Sequence, residues 1–441
     1  MRQTRRGIAW ILAAVLVCTG CSLDVESFLR PPRVGGHQQA VQAALETYLR
    51  DVDGTGVRYT LEYPVEGAHT AAFLLCDEQG FPVKDPATAR TALAFYSLAS
   101  APEVTRMNRL QYSGDQWVSV ADTVGEGASI RQVAFGDLNG DGTAEIITGW
   151  TTYSTRSYQL AVYGTDGGLI PLSRDRLYTA LYVGDLTAAG YDSLLLFTVG
   201  GDETVTAALH RLEGDTLHAV DTVALDGAIR RFGGMTLCRL AQDVHGLYVE
   251  GFKDEERTVT ELIYYDSTGL QAPFYDPATN ATAVTTRFGR MTPRDMDGDA
   301  RVEIPFPTVL AGHTAADVGG TVTLWRGWDY ATRTWADYAY TVINEADGYM
   351  VVLGDGLHTR IATAYDTATR TLTLTDTAAA SPYLWLTAGV SAPPAPAENL
   401  EMVRLFDTRQ GELGYYAWYD PAQITAEKVR YTVIRRTAEG G

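Results

Sequence analysis

Val133-Ala134-Phe135-Gly136-Asp137-Leu138-Asn139-Gly140-Asp141-Gly142-Thr143-Ala144-Glu145-Ile146-Ile147 reads as an apolar strand, an acidic loop and a second apolar strand. Asp137, Asn139, Asp141 and Glu145 fall at places 1, 3, 5 and 9 of the loop, and Thr143 offers its backbone carbonyl at place 7. Hard oxygen ligands at alternate positions suit a cation, and calcium tolerates such a set better than magnesium, which demands strict octahedral geometry. Gly142 permits the left-handed turn that a tight loop needs. Three carboxylates in one loop repel one another unless a cation lies among them. The competing reading is an acidic turn capped by its own backbone. Strands on both sides exclude the helix–loop–helix form of a calcium site.

The same frame returns between Phe288 and Ile304, where Asp295, Asp297, Asp299 and Glu303 take places 1, 3, 5 and 9 and Arg301 supplies the place-7 carbonyl. Ala300 replaces the glycine there, so the turn is expected to be strained. A worn copy at Val183-Gly184-Asp185-Leu186-Thr187-Ala188-Ala189-Gly190 leads into Leu194-Leu195-Leu196-Phe197, with Ser193 at place 9. One carboxylate is too few for a metal, so this loop is expected to be metal-free. Fainter copies are Met235–Val249 and Phe73–Asp77, the latter with a longer loop before Ala92–Tyr96.

Each of the five copies is followed by a polar or glycine-bearing turn, at Tyr112–Asp115, Gly164–Gly168, Glu213–Asp215, Asp266–Gly269 and Asp329–Thr332. A unit thus holds two inner strands around a loop and two outer strands around a turn. Asp185 follows Asp137 by 48 positions, within the roughly 40–50-residue period of propeller blades. Four strands cannot bury both faces alone, and stacking units around an axis does so. The expected fold is mainly β: a β-propeller of about five four-stranded blades over 55–343, preceded by one helix (37–54) and followed by a small α+β module (344–441). Within the helix, Val41, Ala44, Leu45, Tyr48 and Leu49 form one apolar stripe. In the C-terminal module, Thr359–Tyr365 and Thr369–Leu374 read as a strand pair, and Tyr383–Leu386, Leu400–Phe406 and Tyr431–Ile434 as further strands.

Asp137–Ile146 and Asp295–Ile304 resemble the FG-GAP/VCBS repeat family, the calcium-bearing blades of integrin-α-type propellers. The resemblance spans roughly residues 55–340, and two of five repeats keep the full motif. It implies Ca²⁺ at one or two structural sites that brace blades rather than perform chemistry. The whole chain is also similar to surface lipoproteins of Gram-positive bacteria that carry such repeats, a likeness that brings no activity with it.

The amino terminus supports that second likeness. Arg2, Arg5 and Arg6 precede an apolar run from Ile8 to Val17, which is half the roughly 20 residues a spanning helix needs. The run ends Cys18-Thr19-Gly20-Cys21. This order resembles a bacterial lipobox and implies cleavage before Cys21, with lipid on its sulfur. An ordinary secretory signal is the alternative. The expected layout is a signal peptide at 1–21 and a Pro- and Gly-bearing tether at 22–36, placing the body outside the cytoplasm, lipid-anchored to the cell membrane.

Composition agrees. The 441 residues are 46% hydrophobic and 20% charged, which excludes global disorder. Glycine (43) and tyrosine (25) abundance with short alternating segments favours turns and strands. Loss of the three signal arginines takes the bases from 35 to 32 against 54 acids, and the charge from −19 to −22. That balance excludes a phosphate-backbone binder, so no nucleic acid is expected.

No catalytic constellation stands out. His37, His69, His210, His218, His245, His313 and His358 are scattered, with no H-E-x-x-H, G-x-S-x-G or phosphate-loop motif. Trp325, Trp328, Tyr330 and Trp335 are a sugar-stacking platform or, more ordinarily, blade-to-blade core. Cys76 and Cys238, each placed at the end of an apolar strand, read as buried free thiols, with a disulfide outside the cytoplasm as the alternative that the spacing does not support. The function expected is a surface-tethered, calcium-braced binding or scaffold lipoprotein for an unknown protein or glycan ligand. The alternative is an extracellular enzyme acting on polysaccharide or cell wall from one propeller face.

Overall fold

The computed structural model describes residues 36–152, 157–166, 168–296, 298–379, 381–407 and 413–435. They form two compact units. The first holds the described residues through Tyr63, with Ala71–Glu78 and Pro82–Val124; the second holds Pro64–Thr70, Gln79–Phe81 and the chain from Gly125 onward.

In the first unit, helix α1 (Gly36–Asp53) buries Val41, Leu45 and Leu49, the stripe the spacing predicts. It ends where Gly54, at φ +94°, donates its N–H to the Arg50 carbonyl at 3.1 Å. The stripe packs on an antiparallel sheet of β1 (Tyr59–Glu62), β2 (Phe73–Cys76), β3 (Thr91–Leu98), β4 (Ala101–Ser113) and β5 (Gln116–Val124), against Phe73, Leu75, Ala94, Tyr96 and Leu110. β1 and β2 share one edge of β3: Phe73 faces Ala94, and Tyr59 faces Leu98. The β4–β5 turn uses Gly114 and Asp115 at φ +56° and +65°, as a two-residue hairpin requires.

The second unit holds five antiparallel sheets. β6 (Ile130–Gly136), β7 (Glu145–Thr151), β8 (Tyr158–Gly164) and β9 (Ile170–Tyr178) pair in chain order. So do β10 (Ala180–Gly184), β11 (Ser193–Val199), β12 (Val205–Glu213) and β13 (Thr216–Leu225). β14 (Arg231–Ala241), β15 (Val244–Phe252), β16 (Arg257–Asp266) and β17 (Gly269–Gln271) follow, with β18 (Arg287–Phe288) also on β16. Next come β19 (Glu303–Val309), β20 (Thr321–Asp329), β21 (Thr334–Asn344) and β22 (Tyr349–Val352). The last sheet takes β23 (Ile361–Asp366), β24 (Thr371–Asp376), β25 (Ser381–Gly389), β26 (Glu401–Asp407) and β27 (Gly414–Tyr419), with β27 seated between β25 and β26.

The second strands β7, β11 and β15 are buried on both faces, which explains their largely apolar runs. Along β11, Leu194 and Leu196 join Ile147, Leu160 and Val162 of the preceding sheet. The alternating Leu195 and Phe197 join Leu247, Val249 and Ile263 of the following one. Tyr248, Leu262 and Tyr264 then meet Ile304 and Trp328, and Val342 and Tyr349 meet Leu372, Leu384 and Ala417. Each sheet therefore packs on the next in chain order, and each buried leucine contributes about 1.5–3 kcal/mol. The fourth sheet of the chain also buries charge: Arg287 pairs with Glu250 at 2.8 Å and Lys253 with Asp226 at 2.7 Å.

Several local expectations need correction. The predicted strand at Tyr431–Ile434 is half helix: Tyr431 and Thr432 end α2 (Ala426–Thr432), which is capped by Thr425, whose Oγ1 accepts the Lys428 N–H at 3.3 Å. Only β28 (Val433–Arg435) is extended, and it pairs with β22, so the C-terminus returns to the preceding sheet. The strand expected before the second acidic loop is reduced to a bridge between Arg294 and Glu303. Cys238 lies inside β14 opposite Gly246, not at a strand end, whereas Cys76 does end β2.

Candidate functional site

The first acidic loop closes on the Gly136–Glu145 pair at the ends of β6 and β7. Asp137 organises it. Its Oδ1 accepts the N–H groups of Gly140 at 2.6 Å and Asp141 at 3.2 Å, and its Oδ2 that of Gly142 at 2.8 Å. Gly140 and Gly142 sit at φ +81° and +84°. Asn139 Oδ1 accepts the Asp141 N–H, and Asp141 Oδ1 accepts the Thr143 N–H. Glu145, 4% exposed, accepts the Leu138 N–H on Oε2 at 2.7 Å. The Asn139 amide nitrogen donates to Asp141 Oδ2 at 3.0 Å and to Glu145 Oε1 at 3.2 Å, so it gathers two carboxylates. Burial first, then the charges of Asp141 and Asp137, push the Glu145 carboxyl up to about 7 against the pull of the Leu138 N–H.

The second loop repeats this frame. It closes on Arg294 and Glu303. Asp295 accepts from Gly298 at 2.6 Å and from Ala300 at 2.8 Å, Asp299 accepts from Arg301 at 2.8 Å, and Glu303 accepts from Met296 at 2.9 Å. Ala300 holds the place-6 conformation at φ +66° without being glycine, as the sequence implied. Asp297 lies outside the described residues, as does Cys21.

The worn copy keeps the turn. It closes on Gly184 and Ser193. Asp185 accepts from Ala189 and Gly190, both at 2.9 Å, with Ala188 and Gly190 at φ +52° and +83°. Place 9 is where it departs. With serine there, the place-2 N–H of Leu186 turns to the Gly184 carbonyl, and the buried Ser193 Oγ has no partner. Sequence reasoning gave the place-9 glutamates a metal role and missed this backbone cap, although place 9 being the strand-closing residue was a usable signal.

Among the described residues, no group of three or more histidine, cysteine, aspartate or glutamate side chains stands close enough to hold a metal ion. The loop carboxylates are turned toward backbone N–H groups, the alternative the sequence left open. The donor chemistry still suits a cation: Asp137, Asp141 and Glu145 in the first loop, and Asp295, Asp299 and Glu303 in the second, are oxygen donors on one turn each.

Trp325 and Trp328 are core, and Tyr330 and Trp335 are partly buried against it. Trp325 is 1% exposed and donates Nε1–H to Thr341 Oγ1 at 2.9 Å. Trp328 stacks on Tyr264 at 6.1 Å and Trp335 on Phe274 at 4.9 Å. Cys76 and Cys238 are free and buried, and burial pushes both thiols up to about 12. His210 accepts or donates only within its own sheet and toward Arg176. No described helix is long and apolar enough to cross a membrane.

No protein-family model matches the chain, and no curated protein does. Among solved structures, it is similar to a Bacillus licheniformis rhamnogalacturonan lyase at 12% identity, over 83% of this chain and 85% of that one, with a TM-score of 0.31. It is similar to the Dos1 propeller at 7% identity, over 73% and 90%, with a TM-score of 0.28. An exo-β-1,3-galactanase from Phanerochaete chrysosporium gives 9% identity over 78% and 82%, with a TM-score of 0.26. Likenesses this distant carry no argument about activity.

Proposed function

We propose that this chain is a lipid-anchored, extracytoplasmic binding or scaffold protein. In this reading its repeated sheets are propeller blades of the FG-GAP/VCBS type, and two of its loops take calcium as a brace. The supporting observation is the shared frame at Asp137 and Asp295. Two loops far apart in sequence, one closing on a strand pair and the other on a single antiparallel bridge, draw the same backbone N–H groups onto the same carboxylates.

Asp137, Asn139, Asp141, the Thr143 carbonyl and Glu145 would hold one ion. Asp295, Asp297, Asp299, the Arg301 carbonyl and Glu303 would hold the other. A bound Ca²⁺ supplies positive charge that relieves carboxylate repulsion and ties together the ends of two inner strands. The chain's own part is positioning, since the place-1 aspartate fixes the turn and the place-9 glutamate fixes the loop entry.

Calcium that binds the folded chain alone stabilises it by about 3 kcal/mol at roughly 100 times its dissociation constant. Thermal melts in EGTA and in millimolar calcium test this on wild type, Asp141→Ala, Asp299→Ala and the double variant. Each single variant should keep part of the calcium-dependent rise, and the double variant should lose most of it. Identical wild-type melts in both buffers, with no heat of binding, would make these loops plain acidic turns. The anchor is tested separately by Cys21→Ser, which should release the protein to the medium or leave it unprocessed. Unchanged detergent partitioning and maturation would remove the lipid.

A further inference from the structure

β6, β10 and β14 are the first strands of three consecutive sheets, and each pairs along its length only with the second strand of its own sheet. The one addition is a parallel bridge from Glu66 to Gln132 on β6. The three strands converge with the segment Glu66–His69 on a cleft of about 960 Å³. That is a large volume for a ligand pocket. Its walls present strand-edge N–H and C=O groups from β10 and β14, while on β6 the Arg131 carbonyl is already taken by the Val65 and Glu66 N–H groups, both at 3.0 Å.

The charge of the cleft runs against that of the chain. The protein carries −19 overall, yet the lining brings together Arg131, Arg230 and Arg231 with Glu66 as its acid. Arg131 pairs with Glu66, its guanidinium 5.2 Å from the centre of the Tyr158 ring. Arg231 lies 4.2 Å over the Phe252 ring, and Arg230, half exposed, reaches Glu203 beyond the lining at 3.9 Å and donates to the Gly227 carbonyl at 3.0 Å. Partly exposed rings share the lining: Phe135, Tyr182 and Phe232.

We propose that this cleft binds an acidic oligosaccharide, a sugar chain bearing carboxylate or sulfate groups. The proposal rests on the binding reading above and is independent of calcium. Sugar hydroxyls both donate and accept, matching edges that offer both. The C–H faces of sugar rings pack on aromatic rings. Planar guanidinium groups take carboxylates and sulfates with paired hydrogen bonds. Arginines gathered in an acidic body also raise the local concentration of an anion. A peptide adding itself as a strand would use one long edge. The edges here are split over three sheets, and β10 has only five residues, so a ligand with polar groups on several sides is the better match.

The test is calorimetric titration of the full-length protein in detergent. The probes are a short oligogalacturonate, a heparin-derived oligosaccharide of matched length, a neutral cello-oligosaccharide and a polyglutamate peptide. One of the two acidic sugars should bind, and which one names the acid group. Arg230→Gln combined with Arg231→Gln should weaken binding about tenfold or more. Glu66→Gln should tighten it about threefold by removing the one lining acid. Both variants should melt at the wild-type temperature, which separates lost binding from lost folding. Neutral sugar binding as tightly, unaltered affinity in the arginine variant, or no sugar binding at all would overturn the proposal. Capture of polyglutamate alone would overturn it too, while leaving a binding protein with a different ligand. The EGTA and calcium melts report on the brace whatever the sugars do.

Discussion

The loops at Asp137 and Asp185 follow the same turn with different side chains. Each has an aspartate at place 1 that gathers backbone N–H groups, left-handed residues at places 4 and 6, and closure on the strand pair at the residue before place 1 and at place 9. They part at places 3, 5 and 9, where Asn139, Asp141 and Glu145 stand against Thr187, Ala189 and Ser193. The left-handed turn itself is therefore held by its first aspartate. The acids at places 5 and 9 add caps on the Thr143 and Leu138 N–H groups, and their mutual repulsion is a cost that the worn loop avoids. A cation is what would offset that cost.

The sharpest way to break this comparison is to remove the shared aspartate from each loop. Asp137→Ala frees three N–H groups and Asp185→Ala frees two. Hydrogen bonds to a charged acceptor are each worth about 1.5–3 kcal/mol, less where water can replace the acceptor. In EGTA the two variants should lose similar stability, about 2 kcal/mol each. In millimolar calcium Asp137→Ala should lose about 3 kcal/mol more, while Asp185→Ala should not change. Equal losses in both buffers would show that the acids at places 5 and 9 hold no ion.

A smaller effect separates place 5 from place 1. Asp141 caps only the Thr143 N–H and meets the Asn139 amide. Asp141→Ala in EGTA should therefore cost about 1 kcal/mol or less, measured by denaturant unfolding. A cost as large as that of Asp137→Ala would mean that the turn depends on both acids, and the contrast with the worn loop would fall.

What could be read from the sequence follows from locality. The place-1 aspartates, the left-handed glycines and the hairpin turns are chemistry within a few residues, and each stands where the spacing put it. The run Leu194–Phe197 announced a strand buried on both faces, and the two apolar clusters it divides between are the reason. Long-range pairings were not legible. Nothing near Val433 says that it will join β22, and nothing in β26 or β27 says that they exchange order. Thr425 as a helix cap was local and was overlooked. The cleft was invisible because its arginines lie on segments distant in sequence. The buried pair of Glu250 and Arg287 was equally illegible, since only the fold brings them together with both side chains 3% exposed.

The finest contrast lies between the two acid-bearing loops, at place 6. Gly142 and Ala300 adopt nearly the same conformation, φ +84° and +66°. A Cβ at position 142 would meet nothing within 4 Å, so crowding plays no part and only backbone strain separates the two residues. A left-handed conformation costs an L-residue about 1–2 kcal/mol relative to glycine, part of which the glycine returns through its freer unfolded chain. Gly142→Ala should therefore destabilise by about 1 kcal/mol, and Ala300→Gly should stabilise by no more than that. Both shifts should appear in EGTA, because the strain belongs to the turn and not to an ion. Each substitution should also move calcium affinity in its own loop in the same direction as stability, since a relaxed turn presents its carbonyl at place 7 without distortion. Opposite signs at the two positions, read by melting in EGTA, are the expected result. A destabilised Ala300→Gly would mean that the alanine methyl makes packing contacts that outweigh its strain, and the two loops would then not be equivalent turns.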